Sequence, residues 1–381
     1  MEKITLIAIE TFGLEAVVKR EVQAMGFEDI KVSPGKVEFS AQVEDIPRVN
    51  LWLRSADRVL VKVGEFKAVT FEELFEQTKA LPWGDWITQD GKFTVNGKAV
   101  KSILGSVRAC QSIVKKAVVE KMADTYGVEW FEETGPEFTI QVSMLNDIAT
   151  LTLDTSGSGL NRRGYRKHAG MAPIKETMAA GLVLLSFWNE ERLLIDPMCG
   201  SGTILIEAAL IGRKIAPGLN REFASEDWPA IPRQAWGDAR RSAKEAILPE
   251  GGLQLFGYDI DPEMVAASKA NAKAAGVGGD ISFEQKDIKD LWIDAQYGVI
   301  ISNPPYGYKL GDYKDVNQIY ISIHKTFKKK KGWSVYILTA DTKFPDYFKR
   351  AQPDRTRKLF NGPLEVRYYQ YFGERPPRKE K

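Results

Sequence analysis

Four consecutive residues, Asn303, Pro304, Pro305 and Tyr306, lie in the segment ISNPPYG, directly after the apolar run Gly298 to Ser302. Two successive prolines fix the backbone and remove two N–H donors, so carbonyl oxygens are free to face a pocket. Asn303 supplies a side-chain acceptor, and Tyr306 supplies a flat stacking face. This set suits one chemical problem. An exocyclic amino group on a heterocycle is a poor nucleophile, because its lone pair is delocalised into the ring. Acceptors on both of its N–H bonds pull the nitrogen toward a tetrahedral geometry, and it can then attack a sulfonium methyl without a strong base. Asn303 Oδ1 and the Pro304 carbonyl are the candidate acceptors. The same four residues in isolation also make a tight Pro-Pro turn closing a strand. Their position after the third strand downstream of a glycine-rich loop favours the chemical reading.

That loop is DPMCGSGT, Asp196 to Thr203, between the apolar run Leu193 to Ile195 and the helical stretch Ile204 to Ile211. Glycines at 200 and 202 permit conformations closed to other residues. The helix start offers free N–H groups to a ligand. The full GxGxxG of dinucleotide enzymes is absent, as is the Lys-Ser/Thr of a phosphate loop. Asp196 adds a negative charge that is unfavourable beside a pyrophosphate and favourable beside the ammonium of an amino-acid moiety. Taken alone, such a turn is equally well a plain strand-to-helix connection. Asp259, in FGYDIDPEM, follows the next strand and can accept from both hydroxyls of a ribose. Capping of the following helix is the competing role, and Asp261 before Pro262 carries the cap signature. Asp259 lies well beyond the roughly 20 residues expected in the dinucleotide fold, because Arg213 to Gly251 reads as an insertion. Asp287, in FEQKDI, can bond an adenine amino group or serve as a solvated loop residue. Cys199 lies in the glycine loop away from the Asn-Pro-Pro-Tyr tetrad, which makes a small packed residue a better reading than a nucleophile.

The elements that must hold these residues are legible from periodicity. From Leu193 onward, strands at Leu193–Ile195, Leu253–Tyr258, Gly298–Ser302 and Trp333–Thr339 alternate with helical stretches, which implies a parallel, doubly wound sheet. Glu365 to Phe372 fits a closing strand. Before the Gly/Ser stretch Thr155–Gly159 the pattern is α+β. Strands are expected at Thr5–Ile9, Lys36–Ser40, Arg58–Phe66 and Phe93–Gly97, with a hairpin over Glu137–Asp154 turning near Leu145–Asp147. Helices are expected at Leu14–Met25, Ile46–Leu53, Thr70–Lys79 and Ser106–Tyr126, the last with an apolar stripe of Val107, Cys110, Val114, Ala117, Val118 and Met122. The tail GERPPRKEK reads as unstructured.

The chain has 381 residues, 44% apolar and 27% charged, with a net charge of +2. That length calls for two or three domains, and the balance is that of a soluble globular protein. Two cysteines outside any CxxC and two histidines support neither a disulfide framework nor a metal site. A cytoplasmic location follows from the same cysteine usage. With so small a net charge, any basic footprint for nucleic acid must be local. The joint segment offers one, Arg162, Arg163, Arg166 and Lys167. Lys101, Arg108 and Lys115, with Lys92, Lys98, Lys116 and Lys121, form a second set in and before the long helix. Each could contact phosphate, and a solvated helix face explains the helix lysines at least as well. The run Lys328–Lys331 sits at a helix end, where the dipole favours cations.

DPMCGSGT, Asp259 and NPPYG in this order resemble a class I S-adenosylmethionine-dependent amino-methyltransferase. Over nearly its whole length the chain resembles the THUMP-domain RNA methyltransferases, and among them the bacterial 23S rRNA guanine-N2 methyltransferases, also catalogued as N6-adenine-specific DNA methylases. NRRGYRKHAGMAPIKETMAAGLV is similar to the segment preceding that family's cofactor loop, and KLFNGPLEVRYYQY to its closing hairpin. The resemblance implies three domains: ferredoxin-like over 1–65, THUMP over 66–156, and a Rossmann-like methyltransferase over 157–381. It implies cofactor contacts from Asp196, Met198, Cys199, Gly200, Gly202, Thr203, Asp259, Ile260 and Asp287, and catalysis by Asn303, Pro304, Pro305 and Tyr306. Lys175 and Glu176 lie near the cofactor's methionine end or simply start a helix. The partner implied is structured RNA, either 23S rRNA or a ribosome assembly intermediate. Adenine-N6 methylation of RNA or DNA uses the same tetrad, and a non-catalytic RNA-binding protein on a methyltransferase fold is the third reading. Family members with a second methyltransferase domain exist; the chain ends after one, so a second modification is not expected.

Overall fold

The computed structural model describes residues 3–166, 174–306, 312–348 and 352–375, with side chains in the third stretch from Val316 onward. Two compact units are formed. The first comprises Met1–Glu10, Lys19–Leu160 and Arg221–Ala243, and the second Thr11–Val18, Asn161–Asn220 and Lys244–Lys381. Among the described residues, no helix is long and apolar enough to cross a membrane.

The first unit is built on one seven-stranded sheet. Its strands are β1 Ile4–Glu10, β2 Lys31–Ser33, β3 Lys36–Ala41, β4 Ala56–Lys67, β5 Lys92–Val100, β6 Glu137–Leu145 and β7 Ile148–Asp154. They lie in the order β2-β3-β1-β4-β7-β6-β5. The twelve-residue β4 pairs with β1 from Ala56 to Lys62 and with β7 from Leu60 to Lys67, so one strand serves both halves of the sheet. Local chemistry sets the helix limits. Thr70 accepts from Glu73 N while Glu73 accepts from Thr70 N, a capping box. The helix Val107–Tyr126 starts on Ser106 and stops at Gly127, with φ +66°. Its stripe of Cys110, Val114, Ala117, Val118 and Met122 is buried, as the 3.6-residue period requires. Asn146 and Asp147 take φ of +50° and +64°, which suits the turn of a two-residue hairpin.

Two features here are not legible from local pattern. The Gly/Ser stretch after β7 is anchored rather than loose. Asn50 Nδ2 donates to Ile46 O and to Thr155 Oγ1, and Asn50 Oδ1 accepts from Ser156 Oγ. All three side chains are essentially inaccessible. The middle of the insertion also belongs with this sheet. Trp228 stacks on Phe138 with ring centroids 4.8 Å apart and donates to Glu137 O.

The second unit carries β8 Leu194–Asp196, β9 Leu255–Asp259, β10 Ile281–Gln285, β11 Tyr297–Ser302, β12 Gly332–Thr339, β13 Arg355–Asn361 and β14 Leu364–Tyr371. Their order is β10-β9-β8-β11-β12-β14-β13. Strands β8 to β12 are parallel, and β14 inserts antiparallel between β12 and β13. Every residue of β12 is buried, as expected for a strand covered on both faces. The strand order reverses between β8 and β11, and ligands in such sheets bind beyond the carboxyl ends at that switch point.

Asn50→Ala should lower stability by about 2 kcal/mol, because it orphans buried donors and acceptors on Thr155 and Ser156. Urea unfolding with an unchanged m-value would show this; an unchanged midpoint would mean that the anchoring network is energetically idle.

Candidate active site

The reversal point assembles residues far apart in sequence. Asp196 ends β8, and Ser302 ends β11. Ser302 Oγ donates to Asp196 Oδ1 at 2.7 Å across 106 residues of chain. Met198 N donates to the same oxygen at 3.2 Å. Asp196 is only 2% exposed. Burial pushes its carboxyl up to about 7, against the smaller opposing effects of Ser302 and Met198, and the nearby Asp259 adds to the rise. The residue after Ser302 is Asn303, so the carboxylate of the glycine loop and the first residue of the tetrad sit on adjacent strands.

Asp259 ends β9. Its Oδ2 accepts from Gly200 N at 2.8 Å and its Oδ1 from Asp261 N at 3.0 Å. Asp261 accepts from Glu263 N and caps the helix Pro262–Ala274, the division of roles expected from Pro262. Gly202 has φ +82°, and a Cβ there would lie 2.9 Å from Ser268 Cβ and 3.0 Å from the Phe283 ring. The loop therefore lies against β10 and the helix Pro262–Ala274 at a distance only glycine allows.

A cavity of about 480 Å³ opens at this point. Met198 and Gly200 line it from the loop, Asp259 from the end of β9 and Ile260 just after it, Asp287 from the segment after β10, and Asn303 and Pro305 from the tetrad. Asp287 also accepts from Lys289 N, opening a short 3-10 turn. Pro197, Lys286, Ile288, Lys289, Gln318 and Ile319 complete the wall. None of these six was singled out from sequence, where an isolated lysine or isoleucine carries no signal. Ile260 is 65% exposed, an apolar face that a flat ligand in the cavity could cover. Asp196, Cys199, Gly202 and Thr203 are buried. Cys199 is held protonated chiefly by burial, then by the charges of Asp196 and Asp259, so its thiol is unsuited to nucleophilic attack.

In the tetrad, Tyr306 donates its hydroxyl to Asn303 Oδ1 at 2.5 Å, and its half-buried ring packs against the apolar core. A carbonyl oxygen has two lone pairs, so Asn303 retains one acceptor position. Pro304 is buried and Pro305 exposed.

Three family models match the chain: an RlmL ferredoxin-like domain over residues 5–60, a THUMP domain over 68–154 and an RMKL-like methyltransferase domain over 163–370. The chain belongs to the RMKL-like methyltransferase family. It is 49% identical to YpsC of Bacillus subtilis (strain 168), described as a candidate RNA methyltransferase, over all of this chain and 99% of that one. It is 32% identical to the ribosomal RNA large subunit methyltransferase K/L of Shewanella frigidimarina (strain NCIMB 400), over 94% of this chain and 51% of that protein. The chain thus spans about half the length of its K/L relatives. The crystal structure of SMU.472, a candidate methyltransferase complexed with SAH, superposes with a TM-score of 0.93 at 42% identity, covering 99% of this chain and all of that one.

Within this RMKL-like methyltransferase unit the joint arginines divide. Arg163 was expected to face phosphate. It is instead 3% exposed, with its guanidinium 3.5 Å from the buried Glu207, which also accepts from Tyr165. That expectation is corrected, because a phosphate cannot reach a side chain enclosed in the core. Arg166 is mostly enclosed as well. It donates to Thr203 Oγ1 at 3.0 Å and to Ile174 O at 2.7 Å, and faces Glu176 at 3.3 Å. Its work is to hold the first residue of the helix Thr203–Gly212, which also corrects its expected place in an RNA surface. Glu176 is buried in this network, and burial pushes its carboxyl up against the pull of Arg166. Arg162 is exposed; Lys167 lies outside the described residues. In the first unit Lys101, Arg108 and Lys115 are exposed, and the Lys115 ammonium stands 6.0 Å above the Phe93 ring.

The Asp196 carboxyl makes a pH prediction. Its folded value near 7 lies above its ordinary 3.8, so the folded protein binds the extra proton between these limits. Stability contributed at this site therefore falls as pH rises from 4 to 7 and is constant outside that window. Asp196→Asn keeps the Oδ1 acceptor without the charge. Compared with this variant, the ligand-free parent protein should lose up to about 4 kcal/mol across the window. Parallel denaturation profiles of the two proteins between pH 4 and 8 would contradict the assignment.

Proposed function

We propose that this chain transfers a methyl group from S-adenosylmethionine to an exocyclic amino group in RNA, and that the acceptor is N2 of guanine in 23S rRNA. One observation carries the reading: the Ser302–Asp196 hydrogen bond, which places the glycine-loop carboxylate beside the Asn303 acceptor on neighbouring strand ends. The donor set fits the cofactor. Asp196 lies behind the cavity wall of Pro197, Met198 and Gly200 and favours an ammonium group there by its charge rather than by direct contact, Asp259 keeps spare acceptor capacity for ribose hydroxyls, and Ile260 and Ile288 supply apolar walls for a base. The bound cofactor supplies the electrophilic methyl. The chain would supply acceptors at Asn303 Oδ1 and the Pro304 carbonyl, which orient the amino group and polarise its N–H bonds, the one proton released on methylation passing to solvent, while Pro305 restricts the backbone. Proximity and orientation account for most of the rate. The target base must leave its stack to reach such a site.

RNA as the substrate is supported by the THUMP match and by the activities named for the relatives. On this reading the domains run over 1–65, 66–156 and 157–381, and the RNA is held in part by Lys101, Arg108, Lys115 and Arg162. A ribosome assembly intermediate and naked 23S rRNA present the same guanine chemistry.

Mass spectrometry of nucleosides after incubation with labelled S-adenosylmethionine and undermodified ribosomal RNA, with duplex DNA in parallel, tests the proposal. Labelled N2-methylguanosine is the expected product. Labelled N6-methyladenine would keep the mechanism and overturn the base, and no label in either would favour a binding role without catalysis. Asn303→Ala should cut turnover at least a hundredfold while cofactor affinity holds, in line with loss of a preorganised acceptor worth about 3 kcal/mol. Asp259→Ala should instead weaken cofactor binding in calorimetry. Equal loss of cofactor affinity in both variants contradicts these roles.

A further inference from the structure

The 3-10 turn Ile288–Asp290, which lines the cavity with Ile288 and Lys289, runs on to a segment with an unusual division of labour. Ile288, Leu291 and Ile293 enter the apolar cluster around Phe327 and Trp333. Trp292, between the last two, is left 78% exposed. The segment is stapled from behind: Lys330 Nζ donates to Ile293 O, and Trp333 Nε1 donates to Ala295 O at 2.9 Å. An indole is among the largest apolar side chains, and here it is presented to solvent on an anchored backbone while its neighbours bury.

The staple brings the lysine run to the same place. The helix Asp312–Phe327 has ended before Lys328. Of the four lysines, Lys330 is consumed by the staple, while Lys328, Lys329 and Lys331 are exposed and, among the described residues, make no ion pair. Helix-end electrostatics account for cations in the last turn, where His324 and Lys325 already stand; they do not account for three further lysines beyond it. Asp290 and Asp294 flank Trp292 in sequence, and Glu374 N donates to Lys331 O at 2.8 Å; against these three carboxylates the four lysines leave a local excess of one positive charge.

We infer that Trp292 with Lys328, Lys329 and Lys331 forms an RNA-docking surface on the catalytic unit, toward the amino ends of β11 and β12 and away from the cofactor cavity. An unstacked base lies on the indole, and adjoining phosphates meet the lysines. A flat aromatic face beside unpaired cations matches single-stranded or looped RNA, which offers π-faces and phosphates at close spacing. The inference rests on the reading of the chain as an RNA methyltransferase and adds a contact surface on the catalytic unit itself.

The test uses the full chain and an unmodified 23S rRNA transcript. Trp292→Ala should weaken RNA binding about tenfold and raise KM for RNA, the size expected for one lost base stack. Trp292→Tyr should retain most of the affinity. Replacing Lys328, Lys329 and Lys331 by Gln should flatten the salt dependence of binding by about two units of slope. Cofactor affinity by calorimetry and melting temperature should stay at parental values in all three. Parental RNA binding by both the Ala and the triple Gln variants, from a protein that methylates the transcript, overturns the docking surface alone. A parental protein that modifies no RNA overturns the functional reading and this surface together.

Discussion

A carboxylate buried at the reversal of strand order is the constraint on which the catalytic unit depends. Asp196 cannot ionise cheaply where it stands, since removing a charge from water costs far more than one hydroxyl bond returns. Ser302 and the Met198 N–H offset part of that cost. The remainder is a stored preference for a cationic partner. A site with this preference is poised for an ammonium group, and the same hydrogen bond that moderates the charge fixes the end of β11, where the tetrad begins. On the proposed reading, cofactor recognition and base activation share one mechanical joint.

Around that joint the chain uses buried ion pairs rather than apolar packing alone. Arg163 with Glu207, and Arg166 with Glu176 and Thr203, tie the segment preceding the glycine loop to the helix that follows it. Such pairs add little net stability over apolar substitutes, but they tolerate few alternative arrangements. Their value here is to set the position of Thr203, at the N-terminus of the helix whose free N–H groups face the loop. Gly202 completes the fit from the other side, where a methyl group would collide with Ser268 and Phe283.

The first unit solves a different problem. Its sheet runs unbroken from β2 to β5 through the long strand β4, so two matched family segments share one hydrogen-bonded core. Asn50 closes that core over Thr155 and Ser156, and Trp228, contributed from the insertion, covers Phe138. A stretch rich in glycine and serine is thereby made part of the scaffold.

Short-range physics made much of this legible in advance. The stripe in Val107–Tyr126, the helices opening near Thr70 and Ser106, the cap at Asp261, the Asn146–Asp147 turn and the strand-loop-helix around Gly200 depend on residues a few positions apart, and their types state the outcome. Asp259 and Asn303 were legible for the same reason, each being a polar residue at the end of an apolar strand. Only the tertiary structure decided what spans long intervals. It paired Ser302 with Asp196, enclosed Arg163 in the core, tied Arg166 to Glu176 and Thr203, assigned Trp228 to the first sheet, placed β14 between β12 and β13, and brought Lys330 to the carbonyl of Ile293. In sequence an arginine destined for phosphate and one destined for a buried glutamate look alike. Burial is a property of everything packed around a side chain, and those neighbours lie tens to hundreds of residues away.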